Sequence, residues 1–154
     1  MKQLDLLADY LRQNHSQTVS LQVLGNSMRP YLVHERDSVL LHYADNVRVG
    51  DVVLAEIKPS HYVLHRVVKL TESGEMTMRG DGNRTTEQCR REDVRGVVVG
   101  FIRGENKKTS TTADLSYRLY AWFWMHTLPL RGVMLRLHNI CFGSCKDLSK
   151  YRKK

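Results

Sequence analysis

Cysteine is scarce in this chain. Cys89, Cys141 and Cys145 are an odd and sparse set, which excludes a framework of paired disulfides and fits reduced thiols on the cytoplasmic side of a membrane. Cys141 and Cys145 stand four apart with no His or Cys pair at ligand spacing nearby, so no zinc site is expected, and no other cofactor is called for. The N-terminal stretch lacks an uninterrupted apolar run: Lys2, Asp5, Asp9 and Arg12 break it, so it reads as neither a signal peptide nor a membrane span. Acidic side chains are outnumbered 16 to 24, giving a formal net charge of +8 that favours anionic partners. Much of the excess sits at the end, in Arg131, Arg136, Lys146, Lys150, Arg152, Lys153 and Lys154. This reads as a solvated basic end, and no nucleic-acid partner is expected.

What is present fits one domain with a terminal appendage. The 154 residues can bury a core of their own, and 42% hydrophobic with 26% charged residues is the usage of a folded globular chain. Leu4, Leu6, Leu7, Tyr10 and Leu11 recur near helical spacing, so Lys2 to Asn14 reads as an amphipathic helix within a segment 1–18. From Val19 to Phe101 the pattern changes to short Val-, Ile-, Leu- and Tyr-rich runs punctuated by Gly, Asp, Asn and Pro, the signature of strands and turns. The expected strands are Val19–Leu24, Ser38–Tyr43, Asp51–Ile57, Tyr62–Leu70, Glu75–Arg79 and Arg95–Ile102, with a hairpin turn at Lys58–His61 around Pro59. A mainly β domain over 19–104 is thus expected, followed by a polar linker at 105–114. The remainder, 115–154, reads as a helical, aromatic-rich and basic extension. Arg118, Arg131 and Arg136 leave too short an apolar piece to span a membrane. Residues 115–142 read instead as a surface for a membrane face or a partner protein, or as a helical layer packed on the sheet.

Taken alone, Gly25-Asn26-Ser27-Met28-Arg29-Pro30 is turn composition after a strand. The order of the segments adds more. This hexapeptide resembles the nucleophile box of signal peptidase I and its relatives, a Ser-Met pair followed by one variable residue and Pro. Val49-Gly50-Asp51-Val52-Val53-Leu54 resembles the family's Gly-Asp strand. Leu64-His65-Arg66-Val67-Val68 resembles its general-base strand in the archaeal and endoplasmic-reticulum form, with His in place of the bacterial Lys. Arg79-Gly80-Asp81-Gly82-Asn83 is similar to the Gly-Asp-Asn box that supports the site, and Val94 to Gly100 to the closing Val-Gly strand. The resemblance covers about Leu21 to Ile102 and implies the fold shared by signal peptidases and SOS-repressor autoproteases, with a peptide or protein substrate bound in extended form along a sheet edge.

The resemblance makes Ser27 the nucleophile and His65 its base, and the residue types suit those roles. A serine hydroxyl needs a base within hydrogen-bond reach, and a His near its ordinary pKa supplies one at neutral pH without the burial a Lys would need. Alternation along the strand sets His65 on one face with Val63 and Val67. Asp81 is the expected support for the imidazolium, by its match to the Gly-Asp-Asn box, and Glu87, near the place of a second acidic residue, is the alternative. The N–H of Ser27 and its small neighbours would serve the oxyanion, with Gly25, Asn26, Met28 and Pro30 in the substrate-binding part. Tyr31 stands where a small polar residue is common in the bacterial enzymes, and the family's membrane span before the nucleophile box has no counterpart. The expected function is therefore a Ser/His endopeptidase removing leader or signal-like segments, cytoplasmic or peripheral to the inner membrane face. A catalytically silent peptide- or membrane-partner-binding module and a self-cleaving regulator are the alternatives.

Overall fold

The computed structural model describes residues 2–126. Helix α1, Lys2–Gln13, forms because Leu4, Leu7 and Leu11 share one face at helical spacing. That face packs on the first core cluster, while Leu6 and Tyr10 turn outward. Strands β1 (Thr18–Gln22), β2 (Ser38–His42), β3 (Val52–Lys58), β4 (His61–Leu70), β5 (Glu75–Arg79), β6 (Glu87–Arg90), β7 (Val94–Arg103) and β8 (Lys108–Thr111) follow, and then helix α2, Leu115–His126. All pairings are antiparallel, in the order β1-β2-β7-β3-β4-β5-β6, with β8 beside β7. The fold is mainly β, as its short alternating runs require.

Two apolar clusters hold the sheet. One gathers Leu11, Val23, Met28, Leu41, Leu54 and Phe101 with Tyr117 of α2. The other lies under β3, β4 and β5 and includes Val53, Val67, Met76 and Met78. Long β7 joins them, pairing with β3 through Val94–Val97 and with β2 through Val97–Ile102. The expected linker at 105–114 is in part a strand: Lys108–Thr111 pairs with Gly100–Arg103, closing a hairpin at the polar turn. Residues 115–126 are the helix anticipated at the start of the C-terminal extension; the rest of that extension, 127–154, lies outside the described residues.

The fully buried Leu11 joins α1 to the sheet, so truncation there leaves a cavity that the surrounding strands cannot close. Leu11→Ala is expected to lower unfolding free energy by about 3 kcal/mol, against about 0.5 kcal/mol or less for the exposed Leu6→Ala, as read by urea denaturation.

Candidate active site

The loop leaving β1 is tied at several points before it reaches Ser27. Val23 N–H donates to Asp37 O (2.9 Å), and Gly25 N–H donates to His34 Nδ1 (2.9 Å). Buried Asp37 accepts from Val33 N–H (2.8 Å), Gly104 N–H (2.9 Å) and the Arg36 guanidinium (2.8 Å), so the loop is anchored to the β7–β8 turn. Gly25 sits at φ +98°, a conformation that side chains resist. Met28 then plugs into the first core cluster, so that its neighbour Ser27 turns toward the surface cleft. Gly82 N–H donates to Ser27 O (2.7 Å), fixing the Ser27 loop against the segment after β5. Among the described residues the Ser27 N–H donates to no protein acceptor.

His65 lies in β4 opposite Val53 of β3 and is buried. The β5–β6 connection passes directly over it. A side chain at Gly80 would come within 3.0 Å of His65 Nε2 and 2.4 Å of Ser27 O. The absence of a side chain there therefore lets His65 and the Ser27 loop close on the same point. Ser27 and His65 both line one cleft of about 770 Å³, together with Gly25 and Met28. Asn26 and Pro30, also expected in the binding part, are not among its lining residues. No hydrogen bond joins Ser27 to His65 in this free chain among the described residues; such bonds commonly tighten only with substrate in place. A second depression, between Thr71–Glu75 and Arg90–Glu92, contains neither residue.

The acidic partner is where the structure departs from the first expectation. Glu87, at the start of β6 opposite Met78, brings Oε2 to 2.8 Å from His65 Nδ1. The two atoms form a close charge contact off the best hydrogen-bond angle, and neither has another hydrogen-bond partner among the described residues. Asp81 is engaged elsewhere. Its carboxylate accepts from Arg66 Nε (2.9 Å) and Nη2 (2.7 Å), and from Tyr120 Oη (3.0 Å), while its carbonyl accepts from Trp124 Nε1 (2.9 Å). Arg66 also donates to Gly50 O (2.8 Å) and Tyr117 Oη (3.0 Å). Both members of the pair are almost completely enclosed, at 1% and 0% exposure.

The electrostatics divide accordingly. Burial lowers the His65 pKa from the usual 6.5, and the charge of Glu87, then that of Asp81, offsets part of the fall. His65 is therefore neutral, and able to accept a proton, at neutral pH. For Arg66, burial would lower the pKa, but the two Asp81 bonds prevail and raise it, so the guanidinium stays charged. Arg66–Asp81 is thus a buried structural charge pair, whereas His65, beside Glu87, takes up a proton only below its ordinary 6.5.

The Peptidase S24-like family model matches residues 2–96, and the chain belongs to that family. Membership supports a serine peptidase or self-cleaving regulator in general terms. No curated protein matches the chain.

Two substitutions separate the acids. Glu87→Gln is expected to lower the His65 pKa further, since it removes the larger of the two charges that raise it, with a stability change of about 1 kcal/mol or less because Glu87 is partly exposed. Asp81→Asn leaves the Arg66 charge buried without its counter-ion and is expected to cost about 3 kcal/mol or more, with the smaller His65 shift. NMR titration of the His65 ring and denaturant unfolding read the two effects. In wild type, the unfolded state takes up a proton at His65 near pH 6.5 that the fold resists, so this residue's contribution to stability declines as pH falls through that value.

Proposed function

We propose that this chain is a serine endopeptidase that cleaves leader or signal-like segments, with Ser27 as nucleophile, His65 as base and Glu87 as the group that orients His65. The observation that carries the reading is the cleft between two strand edges. β1 is an outer strand of the sheet among the described residues. The first half of β4, His61–His65, pairs with β3 on one side, and β5 begins to pair only at Arg66. Among the described residues its other edge is unpaired. Leu21–Gly25 and His61–His65 line the two sides of the cleft, with Ser27 and His65 in the same cavity. An extended peptide laid there satisfies its main chain by adding to the sheet.

The steps follow from the groups in place. Ser27 Oγ bonds to the scissile carbonyl carbon as its proton passes to His65 Nε2. The carbonyl oxygen becomes an oxyanion and meets the Ser27 N–H, and Glu87 stabilises the imidazolium. Collapse breaks the C–N bond, and His65 hands its proton to the departing amine. A water, deprotonated by His65, then releases the acyl group and restores Ser27.

Family membership makes self-cleavage the second reading; it uses the same atoms with a segment of the chain itself in the cleft. Among the described residues no helix is long and apolar enough to cross a membrane. Leu115, Leu119 and Trp122 lie exposed at i, i+4 and i+7 of α2 and support a membrane- or partner-facing surface over 115–126; the rest of the expected surface, 127–142, lies outside the described residues.

The test incubates wild type, Ser27→Ala and His65→Ala with a mixed peptide library and maps new termini by mass spectrometry, those of the protein included. Wild type is expected to cleave the library, with a loss of at least about 10³-fold in either variant and an acidic limb of activity below pH 6.5. New termini confined to the protein itself would favour the self-cleaving regulator, and equal cleavage by the variants would overturn the assignment of Ser27 and His65.

A further inference from the structure

We infer that helix α1 forms the distal wall of the cleft and builds there a subsite for an uncharged aliphatic side chain of the substrate, three or four residues from the scissile bond. The inference rests on the peptidase reading for the placement of the scissile bond. Leu4 and Leu7 of α1 line the same cavity as Ser27 and His65. They are only partly buried, although they pack on the first core cluster, so the cleft exposes a flank of the core that a substrate side chain would cover. Val23, Met28 and Leu54 make its buried floor. Among the described residues the lining includes no Asp, Glu, Lys or Arg, so a charged side chain entering it would lose water without meeting a fixed opposite charge.

The distance from the chemistry follows from strand geometry. From His65 to His61 the strand advances four residues, about 13 Å at roughly 3.3 Å each. A peptide extended alongside carries its third or fourth residue to the far end. Helix α1 is held at that end by the hydrogen bond from Tyr62 Oη to Asp5 Oδ1 and by buried Leu11. The wall is therefore fixed in place, and its selectivity belongs to Leu4 and Leu7, on a different element from Ser27 and His65.

The test takes a peptide cleaved by wild type and resynthesises it with Ser, Ala, Leu or Phe at the third and fourth positions on each side of the scissile bond. Wild type is expected to favour Leu over Ser about tenfold in kcat/KM at one of these positions. Leu4→Ala and Leu7→Ala enlarge the subsite and should move the preference toward Phe; Leu4→Trp fills it and should move the preference toward Ala. Variants are compared only where their thermal unfolding matches wild type. An unchanged side-chain ranking in folded variants overturns the inference while leaving the peptidase standing. Should wild type cleave no peptide, the peptidase reading fails by itself, and the subsite is then read by fluorescence anisotropy of labelled Leu-rich peptides on Ser27→Ala. About tenfold weaker binding to the Leu4→Trp, Ser27→Ala double variant supports the subsite, and equal binding overturns it.

Discussion

The buried ion pair between Arg66 and Asp81 is the constraint on which the arrangement of the site depends. Arg66 follows His65 directly in β4, and Asp81 stands between Gly80, which packs against His65 Nε2, and Gly82, which holds Ser27 O. One charge pair thus joins the strand of His65 to the segment that holds the Ser27 loop. It also collects the Gly50 carbonyl ahead of β3 and three side chains of α2, Tyr117, Tyr120 and Trp124. The rings of Tyr117 and Tyr120 lie 5.6 and 5.9 Å from the Arg66 guanidinium carbon, adding cation–π contact where water is excluded. A charge so enclosed tolerates no missing partner, so sheet, support segment and C-terminal helix are obliged to assemble together.

With that framework fixed, Ser27 and His65 both line the cleft. His65 has one charged neighbour at Nδ1 and presents Nε2 beside a residue without a side chain. Burial keeps the ring neutral while Glu87 is ready to stabilise it once protonated. The two acids therefore have different neighbours: Asp81 is bound by Arg66, and Glu87 lies against the imidazole of His65. The cleft continues the same logic outward, from the reactive end toward an apolar wall contributed by α1.

Much of this organisation could be read in the sequence because it depends on local pattern. Glu75–Arg79 occurs as a strand with the expected limits, and the turn around Pro59 joins β3 to β4 as its composition requires. β6 and β8 escaped notice for a common reason. Glu87–Arg90 and Lys108–Thr111 are short and largely polar, lying where few side chains point inward, so they have none of the apolar alternation that marks a strand. The order of the boxes pointed to Ser27 and His65 without revealing which acid meets the imidazole. Asp81 and Glu87 are both acidic and both follow the base, and only the pairing of β5 with β6 brings Glu87 onto Nδ1. The competing claim of Arg66 on Asp81 is a contact across 15 positions, and no spacing rule anticipates it.

The central claim is that His65 activates Ser27. A serine-directed fluorophosphonate probe, followed by mass spectrometry of the modified peptide, tests it directly, because the probe reports nucleophilicity without requiring the natural substrate. The account predicts modification at Ser27 in wild type, slowing as pH falls below 6.5, and little or none in His65→Ala. Modification at another serine, or equal labelling of Ser27 when His65 is absent, would contradict it.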